Sequence, residues 1–219
     1  MGDLFSMDNP VFHTIGKFCD IICLSLLYII LCIPIVTIGP ATTALYYTIV
    51  KVIRRERGYI GKEFFHSFKD NFKTGSLTTI ILVAAFSILY IDFQYALYLA
   101  NTKNVFGYIM CAIFGMIAMI FVCITIYIFP VLSRFTIKGK QLFKTSLFLA
   151  IRHLPNTFVA IAVTTALGFL LWASPISIAF APALMCLVLS FPMEKVLKKY
   201  IKGTGKSGED SGIDEWYLE

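Results

Sequence analysis

The sequence has 219 residues, of which 58% are hydrophobic and 15% charged, and its mean hydropathy is +0.79. Soluble domains carry about 25% charged residues, so this composition excludes an ordinary soluble domain and indicates a chain that lies largely in lipid. The net charge of +6 does not indicate a nucleic-acid partner, because the basic residues fall mainly into three clusters between uncharged apolar runs.

The first predicted elements lie at the N-terminus. Residues 1–17 predict a segment at the membrane interface, and residues 18–38 predict the first membrane span. The Gly39-Pro40 pair is predicted to break this helix, after which a second helix leaves the membrane. The apolar run of residues 18–50 is too long for one crossing and too short for two. A re-entrant hairpin is therefore the alternative.

A basic amphipathic helix is predicted after this first unit. Its phenylalanines recur at helical spacing with lysines between them; they are Phe64, Phe65, Phe68 and Phe72, and the lysines are Lys62, Lys69 and Lys73. Such a stripe suits the membrane interface. It also suits docking into an apolar groove on a partner protein, and packing against the protein's own cytoplasmic face is an equal alternative.

Four further spans are predicted in chain order. They cover residues 76–99, 105–129, 155–172 and 175–191. The fold class is therefore an all-α polytopic membrane protein of about five transmembrane helices with amphipathic cytoplasmic helices, in one bundle over residues 18–200. The Gly/Ser-rich, acidic tail at residues 201–219 is predicted to be disordered, because it has too few apolar residues to form a core.

Charge sets the predicted orientation. The three basic clusters, which begin near Lys51, Arg134 and Lys195, are expected on the cytoplasmic side of the membrane. Five spans then place the C-terminus in the cytoplasm and the N-terminus outside. Two connectors also end alike before a span, in SFKDNFKTG and AIRHLPNT, which suggests a duplicated unit of span, amphipathic helix and span.

Two acidic residues within predicted spans are the candidates for a polar site. Asp20 lies near the start of the first span and Asp92 near the end of the second, and a charge within a bilayer is costly. The predicted topology places both towards the outer surface, which suggests an outward-facing pocket for a hydroxylated ligand or a partner. The alternative is that both carboxylates are hydrated at the interface.

No catalytic or metal-binding arrangement is predicted. Histidine occurs only at His13, His66 and His153, and the sequence has no HExxH, GxSxG or glycine-rich nucleotide motif. The six cysteines lie in apolar segments, without CxxC pairs or histidines at metal-ligand spacing. We therefore expect neither an enzyme nor a bound cofactor.

Several longer segments resemble a known family. They are LFSMDNPVFHTIGKFCDIICLSLLY, LCIPIVTIGPATTALYYTIVKVIRRERGYIGKEFFHSFKDNFKTG, FPVLSRF and LAIRHLPNT. Over roughly residues 1–200, the chain resembles the YesL family of Gram-positive bacterial membrane proteins. The matched positions are Pro34, Gly39, Pro40, Tyr46, Tyr47, Arg54, Glu56, Phe65, Phe68, Lys69, Asn71, Phe72, Arg134, His153 and Pro155.

The resemblance implies a function but no catalytic residues. Members of the family are often encoded beside binding-protein-dependent carbohydrate importers, so we expect an accessory membrane protein that contacts lipid and the permease or ATPase subunits of such an ABC transporter. The candidate partner-binding residues are Arg54, Glu56, Phe64, Phe65, Phe68, Lys69, Asn71, Phe72, Arg134 and His153. The alternative is a small transporter or a sugar-binding membrane protein in its own right, with a site between its spans.

Overall fold

The computed structural model describes residues 10–204 apart from 103, 136 and 138, and it contains eight α-helices joined by short turns. They are α1 (Pro10–Leu31), α2 (Ile38–Thr48), α3 (Ile60–Asp70), α4 (Phe72–Asn101), α5 (Val105–Leu132), α6 (Lys140–Arg152), α7 (Leu154–Ala173) and α8 (Ala181–Thr204). The described residues form no strand, so the predicted all-α class is confirmed. Most of the predicted N-terminal segment and acidic tail lies outside the described residues.

Four helical stretches in this part of the chain are long and apolar enough to cross a bilayer. They cover Ile35–Ile53, Phe72–Asn101, Val105–Leu132 and Leu154–Ala173. The last three contain the predicted spans 76–99, 105–129 and 155–172. α4 has 30 residues and α5 has 28, which exceeds the roughly 20 residues that a hydrocarbon core needs. These helices support the prediction of a polytopic membrane protein.

The predicted end of the first span is wrong. α1 ends at Leu31, and the chain bends over residues 32–34. Pro34 explains where the break falls, because proline disfavours helical geometry at the residue before it. Pro40, in contrast, lies in the first turn of α2, where the missing backbone N–H removes no hydrogen bond. No break therefore occurs at Gly39-Pro40.

The fifth predicted span is also wrong in its bounds. Residues 175–179 form a 3₁₀ turn, and α8 begins only at Ala181. This helix then continues through Pro192 into the lysine cluster and ends at Thr204, so it enters the segment predicted to be tail. Because Glu194 and several lysines lie within it, α8 is not among the described stretches that are apolar enough to cross a bilayer alone.

α1 and α2 form an antiparallel hairpin. Lys17, near the start of α1, donates to Glu56 beyond the end of α2 at 2.6 Å. Nearer the bend, the Tyr28 hydroxyl lies 3.3 Å from the Thr42 Oγ1 atom. The start of α1 therefore lies at the same end of the molecule as the first basic cluster, which contradicts the prediction that these two segments lie on opposite sides.

The bend of this hairpin lies beside the beginning of α4. Gly39, one turn into the second arm, is so close to α4 that a Cβ atom there would overlap Gly75 and Thr79. The other end of α4, at Asn101, is 26 residues further on, or about 39 Å at about 1.5 Å per residue. The hairpin thus bends back near the level where α4 begins, which favours the re-entrant alternative over a full first span.

The two amphipathic helices occupy similar places. A π-helical turn over Ile49–Ile53 extends α2, and the two together are the α2 stretch. α3 runs back along this stretch, and Lys51 near its end pairs with Glu63 in α3 at 2.7 Å. α6 runs back along α5 in the same way, so that Thr157 in the first turn of α7 meets Tyr127 of α5, with 3.1 Å between their hydroxyls. α5, α6 and α7 follow the order of span, short helix and span that the predicted duplication requires. α2 belongs to the hairpin and, at 11 residues, is no longer than α3, so the duplication stays a prediction.

Candidate functional site

A buried ion pair lies where α2, α5 and α8 meet. Glu194 is 4% exposed and Arg134 is 5% exposed. The Arg134 Nε atom donates to Glu194 Oε1 at 3.2 Å, and its Nη2 atom lies at the same distance from that oxygen. The Tyr46 hydroxyl donates to Oε1 at 3.1 Å. One carboxylate oxygen therefore receives contacts from two other helices.

A second arginine fastens α8 to the end of the α2 stretch. Arg54 donates through Nη1 to the backbone carbonyl of Ser190 at 3.0 Å, and the same atom lies 3.3 Å from the Ser190 hydroxyl. Its guanidinium also lies 4.3 Å from the centre of the Phe191 ring, within cation–π range. Since Ser190 and Glu194 are one helical turn apart, both arginines act on the same turn of α8.

A lysine links this cluster to α3. Lys51 donates to Glu63 at 2.7 Å and to the Tyr47 hydroxyl at 3.1 Å. The Arg134 guanidinium lies 5.9 Å from the centre of the Tyr47 ring, so the two ion pairs share this tyrosine between them. The network orients helices, and its charges are compensated within the protein rather than left to act as a free acid or base.

The predicted phenylalanine stripe divides between two faces of α3. Phe64 is 0% exposed, while Phe65 and Phe72 are 43% and 44% exposed. Phe68 is half-buried, and its ring lies between those of Phe64 and Phe72, with centres 6.4 and 5.6 Å away. The prediction that all four could contact a partner is therefore wrong for Phe64, which is part of the protein's own core. The same correction applies to buried Arg134.

The other candidate residues of this region have separate tasks. The Asn71 side chain donates to the Ser67 carbonyl at 3.0 Å and so closes the end of α3. Glu56 pairs with Lys17, as described above, whereas Lys69 is exposed on α3. These contacts place Lys69 with Phe65 and Phe72 on the outer surface of the protein.

His153 lies at the junction of α6 and α7, facing α8. Its Nε2 atom is 3.2 Å from the Tyr200 hydroxyl, and the two rings are perpendicular. Burial, followed by the positive charges of Lys199 and Arg152, holds the pKa of His153 below its ordinary value. The ring is therefore neutral near pH 7, and it connects the second amphipathic helix with the end of α8.

The structure does not bring the two predicted acids together. Asp20 is one turn from Lys17, at the end of the molecule that carries the basic clusters. Asp92 is 20 residues beyond Phe72, or about 30 Å further along α4, and the start of α4 lies beside the bend of the hairpin rather than beside Lys17. The predicted pocket between Asp20 and Asp92 is therefore wrong, because it assumed that α1 begins on the opposite side. No group of three or more histidine, cysteine or acidic residues able to hold a metal occurs among the described residues.

Three charged members of the network were not predicted as site residues. They are Lys51, Glu63 and Glu194. A signal for Glu194 is present in the sequence, since it is the only acidic residue between Asp92 and Glu209 and it follows apolar α8 residues. A lone acid at the end of an apolar helix calls for a basic partner, and Arg134 lies at the corresponding end of α5.

A cavity of about 360 Å³ adjoins this network on its membrane side. Residues of α1, α2, α5, α7 and α8 line it, and Tyr46 and Met193 lie between it and the Arg134–Glu194 pair. Its wall is mainly carbon, with a few hydroxyl groups. The volume falls within the range of about 300–1,000 Å³ that is typical of small-molecule sites.

These features define a polytopic α-helical membrane protein whose basic end is held together by buried ion pairs. Residues 21–93 match the family described as "Protein of unknown function, DUF624". The chain is 31% identical over 135 residues to "Uncharacterized protein YteU" and 25% identical over 128 residues to "Uncharacterized protein YesL", both of Bacillus subtilis strain 168. The predicted resemblance to the YesL-like group is thereby confirmed, at modest identity.

The matched segments cover 61% and 58% of this chain, and 59% and 58% of YteU and YesL respectively. The chain thus spans about three fifths of the length of these two relatives. No solved structure matches it.

Proposed function

We propose that this protein is an accessory membrane component of carbohydrate import, which binds the permease or ATPase subunits of an ABC transporter. The class of partner comes from the resemblance to the YesL family. The contact surface comes from the outer face of α3, which we place on the cytoplasmic side because the basic clusters gather at that end.

The outer face of α3 is the observation that carries this proposal. Phe65 is exposed on α3 together with Lys62 and Lys69. Tyr59, just before the first residue of α3, and Phe72, the first residue of α4, are exposed at its two ends. Aromatic side chains on a charged helix are the anchors that helical docking motifs use, and they are enriched among the residues that dominate binding energy in protein interfaces.

The attachment of α3 to α2 favours a protein as the binding partner of its outer face over lipid alone. Phe64 and the Lys51–Glu63 pair fix the inner face of this helix to α2. A helix that only floats in the membrane interface needs no such attachment. A docking surface gains from it, because a helix that is already ordered loses less entropy on binding.

A sugar transporter is less well supported by the cavity. A sugar presents many hydroxyl groups, and leaving them without partners in an apolar cavity would cost several kcal/mol. The hydroxyl hydrogens on the cavity wall are engaged within the protein, so the hydroxyl groups there offer a sugar only a few acceptor oxygens and no donors. The accessory function is therefore the one that we carry forward.

Co-purification from native membranes tests the proposal. The full-length protein is extracted in mild detergent and its partners are identified by mass spectrometry, for the wild type and for Phe65→Ala. We expect the wild type to retain subunits of a carbohydrate importer and the variant to lose most of them.

Phe158→Ala is the matched control, because Phe158 is equally large and more exposed but lies on the apolar helix α7. It should retain the partners. Recovery of the wild type without importer subunits, together with unchanged sugar uptake after deletion, would contradict the proposal.

A further inference from the structure

The donor hydrogens on the wall of the cavity are all in use. The hydroxyl groups that line it belong to Tyr28, Thr42, Tyr46, Thr125 and Thr164. The three threonines each donate to the backbone carbonyl one turn earlier. Tyr46 donates to Glu194, and Tyr28 is left to donate to Thr42. The wall therefore offers a ligand carbon and sulfur surface and no spare hydroxyl donor.

α8 lines the cavity over about three helical turns. On that helix, one face lines it over Pro182, Met185, Cys186, Leu189 and Met193. The first and last of these positions are eleven residues apart, or about 16 Å at about 1.5 Å per residue. Methionine side chains on such a face adapt to flexible ligands because they are unbranched and polarizable. The shape suits a linear chain better than a compact ring.

From these two properties we propose that the cavity binds one acyl chain of a membrane lipid. The protein lies in a bilayer, so hydrocarbon chains surround the helices that form the cavity. An apolar cavity of this kind excludes water, and it gains contacts with every methylene group that enters. The chain can come from a phospholipid of the surrounding bilayer or from a free fatty acid.

Photo-crosslinking in reconstituted vesicles tests the proposal and separates the two sources. The full-length protein is placed in phosphatidylcholine vesicles that contain one of two probes. One is phosphatidylcholine with a diazirine near the end of one acyl chain, and the other is a free fatty acid with the same group. After irradiation, adducts are assigned by mass spectrometry. Labelling with the first, the second or both probes identifies the source.

Within each sample, two sets of residues distinguish a probe bound in the cavity from a probe in the bulk lipid. Cys186 and Met193 are buried and line the cavity, whereas Met116 and Met119 are exposed on α5 and face the bulk lipid. We expect adducts on both sets. Adducts on Met116 and Met119 alone, with both probes, would overturn the proposal.

Filling the cavity gives a second test. Thr164→Phe on α7 places a ring in the cavity, and Leu171→Trp fills it from another point on the same helix. In either variant the adducts on Cys186 and Met193 should be lost, while those on Met116 persist and show that the protein is still inserted and folded. Unchanged adducts on Cys186 and Met193 in both variants would contradict the proposal.

Discussion

Glu194 Oε1 accepts hydrogen bonds from both Tyr46 and Arg134, so a single atom connects helices that are far apart in the chain. Moving two charges out of water costs several kcal/mol for each ion, and their attraction compensates for this only while both are present. Burial of the Arg134–Glu194 pair therefore makes the fold depend on each partner.

Removing one member of this pair should destabilise the protein strongly. In Glu194→Gln the shape is kept, but the Arg134 charge is left buried without its counter-charge, so we expect a loss of about 3–5 kcal/mol in unfolding free energy. Thermal unfolding in detergent measures the change. Lys17→Gln is the control, since it removes a half-exposed ion pair worth at most about 1 kcal/mol.

The double variant Arg134→Met/Glu194→Leu should recover much of the stability, because two apolar side chains carry no uncompensated charge. A melting temperature of Glu194→Gln equal to that of Lys17→Gln would show that the pair does not hold these helices together.

His153 should give the protein a pH-dependent contribution to stability. Its pKa is lowered in the folded state, so the unfolded chain takes up a proton first as the pH falls. The contribution is complete above the ordinary histidine pKa of about 6.5 and is lost progressively below it. We expect the melting temperature of the wild type to fall more than that of His153→Gln between neutral and mildly acidic pH.

NMR titration of the His153 ring checks the cause. In Lys199→Gln the pKa of His153 should rise, because one of the two nearby positive charges is removed. An unchanged titration in this variant would contradict the assigned effect of Lys199.

At the scale of elements, the contact between the α1–α2 hairpin and α4 depends on two glycines. A Cβ atom on Gly39 would overlap Gly75 and Thr79, and a Cβ atom on Gly75 would lie 2.8 Å from the Pro40 nitrogen. The sequence signal at Gly39-Pro40 was real but was interpreted wrongly. Glycine and proline mark turns most often, whereas here glycine permits close packing, and this depends on a helix that is distant in sequence.

Gly39→Ala should therefore be destabilising by about 1–3 kcal/mol, because its methyl group meets backbone atoms that cannot move aside. Gly115→Ala on α5 is the matched control: nothing lies within 4 Å of its Cβ position. Since alanine favours helices over glycine by about 1 kcal/mol, this control should be neutral or slightly stabilising. Thermal unfolding of both variants measures the difference, and equal effects would contradict the close contact.

The amphipathic helix α3 shows what periodicity can and cannot predict. Phenylalanine and lysine spacing correctly predicts a helix in this region. Periodicity alone does not tell which of the phenylalanines face the core, because Phe64 and Phe65 are adjacent and lie on different faces. The orientation of α3 depends on the pair between Glu63 and Lys51, which lies just beyond the end of α2. Neither residue carries a local signal of this contact.

At the scale of the whole molecule, the long apolar helices were predicted well and the arrangement of the first hairpin poorly. α4, α5 and α7 each contain a predicted span, because a run of about twenty mainly apolar residues is typical of a membrane span. The apolar run of residues 18–50 allows both a single span and a hairpin by length alone. The choice between them depends on the contact between Lys17 and Glu56, which are distant in sequence. A wrong choice between span and hairpin reverses the predicted side of the N-terminus.

Cysteine labelling in cells tests this topology directly. Single cysteines are introduced at Gly16, Gly61 and Asn101 after the native cysteines are replaced by serine or alanine. Gly16 and Gly61 have free space around their Cβ positions, and Asn101 is exposed at the far end of α4. Because Lys17 contacts Glu56, we expect Gly16→Cys and Gly61→Cys to lie on one side of the membrane and Asn101→Cys on the other.

Since the basic clusters favour the cytoplasmic side, a membrane-impermeant maleimide should label Asn101→Cys in intact cells. Gly16→Cys and Gly61→Cys should react only after permeabilisation. Labelling of Gly16→Cys in intact cells, with Gly61→Cys still protected, would place the N-terminus outside and contradict the antiparallel hairpin. Labelling of both glycine positions from outside would keep the hairpin but reverse the whole molecule, and with it the side on which α3 could meet an importer's ATPase.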